Sequence, residues 1–128
     1  MFNKKRLLII DDEEQFAFLV KSNLETAGDF AVFTAKNAEE GLKIAKSKVP
    51  DIILLDITMP GKDGFSVLEA LKKEERTMSI PVVMLTAVHD DDSKLKTAQL
   101  YCEDYITKPI PTEELKNKIK EVLNRYKK

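Results

Sequence analysis

Five side chains suited to handling a metal and a phosphoryl group each fall where a short apolar run ends. Leu7-Leu8-Ile9-Ile10 leads into Asp11-Asp12, and Ile52-Ile53-Leu54-Leu55 leads into Asp56. Val82-Val83-Met84-Leu85 leads into Thr86, and Tyr105-Ile106-Thr107 into Lys108-Pro109. Three carboxylates drawn together repel: at an effective dielectric of about 20, a like-charged pair about 4 Å apart costs about 4 kcal/mol. Either one of them stays protonated or a cation lies among them. Magnesium suits such a set, because it takes one or two carboxylates, keeps waters and adds a phosphate oxygen. A carboxylate can also take a phosphoryl group directly as a nucleophile. Asp56 is the candidate, since it ends a central strand and faces the others. Lys108 is a compact charge suited to phosphoryl oxygen, and Thr86 offers a hydroxyl at the same edge. Metal, lysine and hydroxyl could share the charge in transit. Taken singly, each residue has a plainer reading: acids at a helix start, a β-former ending a strand, a solvated lysine. Their joint placement is the signal.

The elements that must carry these residues follow from the pattern between them. Apolar runs alternate with amphipathic stretches, the mark of βα units around a parallel sheet. Phe16, Leu19, Val20, Leu24 and Ala27 recur at helical spacing, with Gly28 as the stop. Phe30 to Ala35 reads as a second strand. Asn37, with Glu40 three residues on, starts a helix that runs towards Lys48, and Pro50 breaks it. Gly61 and Gly64 bracket a loop, and Phe65, Leu68 and Leu71 form the next buried face. Pro81 opens the fourth strand, and Leu95, Ala98 and Leu100 mark another helix. A last helix follows Pro111-Thr112, with Leu115, Ile119, Val122, Leu123 and Tyr126 on one stripe. The third and fourth runs are apolar throughout, as strands covered on both faces should be. Parallel strands joined by right-handed crossovers place helices on both sides of the sheet and gather the five residues at one edge, where such sheets bind ligands.

Bulk composition narrows the classes. A chain of 128 residues is one domain of ordinary size, able to bury a core. Lys and Arg number 21 against 22 Asp and Glu, so charge alone indicates neither a nucleic-acid nor a membrane surface. The apolar runs are of strand length, well short of a bilayer span. Only four apolar residues follow the basic N-terminus, too few for a signal-peptide core. One cysteine, Cys102, excludes an internal disulfide and fits a reducing, cytoplasmic setting.

At these residues the chain resembles the receiver domain of bacterial two-component response regulators. Lys5 to Glu14 is similar to the family's first strand and acidic pair, and Asp56-Ile57-Thr58-Met59-Pro60-Gly61-Lys62-Asp63-Gly64 to its phosphoacceptor loop. Met84-Leu85-Thr86-Ala87 resembles the switch-threonine strand, and Asp104 to Pro109 the final strand and lysine. Four such matches in order, at the right spacings, are specific, and they span essentially all of residues 1–128. The fold expected is α/β: a five-stranded parallel, doubly wound, flavodoxin-like sheet flanked by five helices. Its strand order, 2-1-3-4-5, is borrowed from that fold type.

The resemblance implies a phosphorelay switch in which Asp56 takes a phosphoryl group from a sensor histidine kinase or a phosphotransfer protein. Mg²⁺ would be held by Asp11, Asp12, Asp56 and the backbone carbonyl of Thr58, while Thr86 and Lys108 bind the phosphoryl group. Thr86, Tyr105 and the small Ala87 would form the switch. They would alter the face of the fourth helix, fifth strand and fifth helix that meets an output domain or downstream target. The chain would catalyse only its own phosphorylation and dephosphorylation, with no direct contact to nucleic acid and no membrane insertion. Lys108-Pro109 would be a cis peptide bond. Two departures stand out: Tyr101-Cys102 replaces a glycine and a small alanine, and the apolar Val88 cannot orient an attacking water, so slow self-dephosphorylation is expected.

Three other readings use the same residues. A Mg²⁺-dependent phosphohydrolase with an aspartate nucleophile would want a second aspartate two residues after the first, where Thr58 stands. A flavin or nucleotide binder would want a Gly- or Ser/Thr-rich phosphate loop after the first strand. Asp11-Asp12-Glu13-Glu14 would instead repel a phosphate. A receiver-like module that only binds a partner would not need all five residues. His89, the only histidine, reads as an exposed loop residue.

Overall fold

The structure, a computed structural model, describes residues 4–57, 59, 63–86 and 101–126. Along the chain run β1 (Lys5–Ile10), α1 (Glu14–Thr26), β2 (Phe30–Ala35), α2 (Ala38–Lys48) and β3 (Ile52–Asp56). After them come α3 (Gly64–Lys73), β4 (Val82–Thr86), β5 (Asp104–Thr107) and α4 (Thr112–Arg125). The five strands form one parallel sheet in the order β2-β1-β3-β4-β5, as expected. Four of the five expected helices fall among the described residues. The expected helix carrying Leu95, Ala98 and Leu100 lies outside them, as do Thr58, Gly61, Ala87, Val88 and His89.

Pleating sorts the strand residues into two apolar layers. Leu8, Ile10, Ile53, Leu55, Val82 and Met84 pack with Ala45 of α2 and with Val67, Leu68 and Leu71 of α3. The alternate residues Leu7, Ile9, Ile52, Leu54, Val83 and Leu85 pack with α1 and α4 on the other face. Every residue of β3 and β4 is buried, which explains their unbroken apolar sequence. Each aliphatic side chain so covered contributes about 1.5–3 kcal/mol.

Local chemistry sets the element ends. Gly28 takes φ 87° and closes α1, a left-handed position that glycine fills without strain. The Asn37 side chain accepts the Glu40 N–H at 2.8 Å, and the Glu40 carboxylate accepts the Lys36 N–H at 3.2 Å, a reciprocal cap for α2. That helix ends at Val49, which takes the left-handed φ of 43° just before Pro50. Asp63 caps α3 by accepting the Ser66 N–H at 3.0 Å. Gly64 belongs to the first turn of α3 rather than to the loop before it, and its N–H donates to the Ile57 carbonyl at 2.8 Å. A Cβ at Gly64 would strike the Asp56 carbonyl oxygen and lie 2.6 Å from Ile57 Cα. Glycine therefore lets α3 start directly against the end of β3. In α4, Leu115, Ile119 and Val122 are buried, but Tyr126 is 48% exposed and not part of the apolar stripe. Partial burial, helped by a hydrogen bond to the Glu103 carboxylate, pushes its phenol pKa up.

Candidate functional site

Strand register builds the site. Ile10 pairs with Leu55 and Asp56 with Leu85, so Asp11 and Asp56 emerge level at the C-terminal edge of neighbouring strands. Thr86 pairs with Thr107, and Lys108 follows at once. Backbone bonds fix these ends: Asp11 N–H to the Ala35 carbonyl at 2.9 Å, Ile57 N–H to Leu85 at 3.0 Å, and Lys108 N–H to Thr86 at 2.7 Å. The Lys108-Pro109 peptide is cis, as the resemblance implied.

Asp11, Asp12 and Asp56 each offer a carboxylate oxygen, and these atoms all lie within 4.8 Å of one another. Asp11 and Asp56 are buried. One Asp11 oxygen, Oδ1, accepts the Glu13 N–H at 2.9 Å. The other, Oδ2, is buried and lies 2.8 Å from Lys108 Nζ, an ion-pair distance, yet it has no properly directed hydrogen bond. Such an oxygen is unfinished in a protein interior. Donors opposite one another across Mg²⁺ are about 4.2 Å apart, so a hard-oxygen trio of this span fits that ion with a small contraction.

Lys108 is the cationic counterpart. Its Nζ donates to Glu13 Oε1 at 2.5 Å, lies 4.0 Å from Asp56 Oδ2 and sits 4.6 Å from the centre of the Phe16 ring. Burial alone lowers the pKa of this ammonium, but the carboxylates of Asp11, Glu13 and Asp56 outweigh it and hold the value above that of an ordinary lysine.

The pleat refines the expectation that all five residues converge. Asp11, Asp56 and Lys108 continue the alternation of Ile9, Leu54 and Ile106, so they leave the sheet towards α1. Thr86 continues that of Met84 and points the other way. Its buried hydroxyl lies 3.4 Å from both the Ile106 carbonyl and Thr107 Oγ1, tied loosely to β5. Tyr105 is 40% exposed on the edge strand. Thr58 and Ala87, expected as a metal ligand and a switch residue, lie outside the described residues. Sequence reasoning took Glu13 only as one of a run of acids. Its signal was its place, directly after the acidic pair and at the mouth of the site.

A family model described as the response regulator receiver domain matches residues 7–120. Among curated relatives, the DNA-binding dual master transcriptional regulator RpaA of Synechocystis is 40% identical over 120 residues, covering 94% of this chain and 49% of that protein. The alkaline phosphatase synthesis transcriptional regulatory protein PhoP of Bacillus subtilis is 37% identical over 121 residues, covering 94% and 49%. The chain thus spans about half the length of these relatives. Among solved structures, a CheY-like response regulator receiver domain protein from Methanospirillum hungatei superposes with a TM-score of 0.86 at 29% identity, covering 96% of each chain. Among the described residues, no helix is long and apolar enough to cross a membrane. Proteins of this family are signalling switches that bind Mg²⁺ at an acidic cluster of the kind formed by Asp11, Asp12 and Asp56. Sheet order, acidic cluster, lysine and family match agree: the chain belongs to the response regulator receiver domains of two-component signalling.

Proposed function

We propose that residues 1–128 act as one receiver in which Asp56 accepts a phosphoryl group from a histidine kinase or phosphotransfer protein. The observation that carries this reading is the convergence of three carboxylates within 4.8 Å, with Lys108 Nζ 4.0 Å from Asp56 Oδ2. An Asp56 oxygen bonds to phosphorus as the bond from phosphorus to the donor's histidine nitrogen breaks, the imidazole leaving with that electron pair, and Asp56 is held for the attack by the Ile57–Leu85 backbone bond behind it. Asp11 and Asp12, with the Thr58 carbonyl, would hold Mg²⁺. When bound, the ion neutralises the carboxylates and draws charge from the phosphoryl oxygens. Lys108 takes the phosphoryl charge that remains. Thr86 swings its hydroxyl from β5 towards the phosphoryl group, a move favoured by the length of its present bonds.

Loss of the Thr86 hydroxyl from β5 changes the packing beside Tyr105, the switch partner that the resemblance names together with Ala87. A local charge thereby biases the face to which β5 and α4 contribute. An output domain or downstream target would read that face, and RpaA and PhoP suggest an output in transcription. The chain would turn over nothing but its own phosphoryl group. The setting proposed is the cytoplasm, where a single reduced cysteine fits. Intact mass after incubation with acetyl phosphate, with and without Mg²⁺, tests the reading. One Mg²⁺-dependent phosphoryl adduct, absent in Asp56→Asn, is expected. No adduct under any condition would leave a module that only binds a partner.

A further inference from the structure

We propose that Glu13 is a positioning residue for the chemistry at Asp56. Its carboxylate holds the Lys108 ammonium back from the phosphoacceptor, and phosphorylation requires that hold to be released. The inference rests on the reading of Asp56 as phosphoacceptor.

Three observations carry it. First, the Glu13 carboxylate is the acceptor of a directed hydrogen bond from Lys108, whereas Asp11 Oδ2 is at ion-pair distance without one and Asp56 Oδ2 is 4.0 Å away. The lysine is therefore shared between Asp11 of the metal-binding trio and Glu13, which lies outside it. Second, Glu13 is the N-cap residue of α1, yet its side chain caps nothing. It reaches across to Lys108 instead, leaving the helix start without the bond a capping side chain would give. Third, the hold is reversible by construction. The Glu13 side chain is 63% exposed while that of Lys108 is 14% exposed, so water replaces lysine at the carboxylate without burying a charge. The Phe16 ring, 4.6 Å from Nζ, keeps the ammonium over the site when Glu13 lets go.

In the step affected, an Asp56 oxygen bonds to the phosphorus of an acyl phosphate. The bond from phosphorus to the acyl oxygen breaks, and the carboxylate leaves with that electron pair. Lys108 must face the phosphoryl oxygens while this happens. Once the group is on Asp56, Lys108 is engaged with it and Glu13 no longer competes. Glu13 should therefore govern the rate of phosphorylation and leave the decay of the phosphorylated protein nearly untouched.

The test compares wild type, Glu13→Gln and Glu14→Gln. Glu14→Gln removes an equal charge from the adjoining residue in the first turn of α1. With acetyl phosphate and Mg²⁺, Glu13→Gln should form the adduct about threefold faster, the weight of one partly exposed ion pair, with decay after donor removal unchanged. Glu14→Gln should leave both rates near those of wild type. Equal acceleration in both variants would mean simple relief of repulsion towards the donor and would overturn the proposal. A second reading needs neither donor nor metal: hydrogen exchange at the Lys108 ammonium, followed by ¹⁵N NMR, should quicken in Glu13→Gln. Unchanged exchange would overturn the proposal. Failure of wild type to take any phosphoryl group would sink the proposed function, and the lysine measurement would still judge the contact.

Discussion

Gly64→Ala sets two physical effects of opposite sign against each other at one atom. Inside a helix, alanine in place of glycine gains up to about 1 kcal/mol from backbone preference. Against this, the new Cβ would lie 2.6 Å from Ile57 Cα and closer still to the Asp56 carbonyl oxygen. Both obstacles are backbone, and the Ile57 backbone is bonded on both sides, from its N–H to the Leu85 carbonyl and from its carbonyl to the Gly64 N–H. No rotamer relieves such a clash, so α3 must slide or the end of β3 must bend. Overpacking of this kind costs about 1–3 kcal/mol, and the upper half of that range applies where backbone must move. The expected net loss is about 1–2 kcal/mol. Urea unfolding followed by circular dichroism should show it as a midpoint lower by roughly 0.5–1 M. Gly41→Ala is the comparison. There the new Cβ meets Ile10 Cδ1 at 2.6 Å and Cγ1 at 2.9 Å, both on a side chain that can turn, so the loss should be smaller. A Gly64→Ala midpoint equal to or above that of wild type would show that α3 is not seated on β3 as argued.

Other predictions draw on separate parts of the structure. The Glu25 carboxylate accepts the Val32 N–H at 3.0 Å, and this bond, aided by Lys21, lowers its pKa. A lowered carboxylate pKa stabilises the fold above the usual value of 4.5, and that gain is lost as pH falls through the folded value. The carboxylate is 37% exposed and screened by solvent, so Glu25→Ala should cost only about 0.5 kcal/mol at pH 7, and denaturant titrations should show the difference closing in acid. Val49→Gly should raise stability by about 0.5–1 kcal/mol, because a left-handed conformation costs a β-branched residue more than glycine loses in entropy; a lower melting temperature would contradict this. Mg²⁺ at ten times its dissociation constant should stabilise the protein by about 1.4 kcal/mol. Asp11→Asn should abolish that gain, and an identical Mg²⁺-induced shift in the variant would remove Asp11 from the metal site.

Much of this was legible in the sequence because strand ends are punctuated. Asp11, Asp56, Thr86 and Lys108 each close an apolar run, and in parallel strands of like register such residues share an edge. Asn37 with Glu40 announced a helix start through a bond between near neighbours. What the sequence withheld depends on pleat and reach. Thr86 and Lys108 look alike as residues at strand ends, yet alternate residues of a strand leave the sheet on opposite faces, and only the register, Thr86 opposite Thr107, shows that these two part. The Glu13–Lys108 contact joins residues 95 positions apart, and no local pattern encodes it. Gly64 read as a loop residue because its role, room for the Asp56 carbonyl, is set by a strand eight positions earlier.

Of the two edge strands, β2 and β5, β5 has the lesser apolar holding. Of the four residues of β5, only Ile106 is buried. Its far end is held through Lys108 by Asp11 and Glu13, and its near end by Lys118 on Asp104 at 3.0 Å and Arg125 beside Glu103 at 3.8 Å. Electrolyte therefore acts on this strand as it cannot on the interior ones, since the screening length falls from about 10 Å at 0.1 M salt to about 3 Å at 1 M. Amide exchange at Tyr105 and Ile106 should quicken over that range while Leu54 and Leu55 stay protected. The edge strand would then loosen with ionic strength, in a protein whose central strands do not.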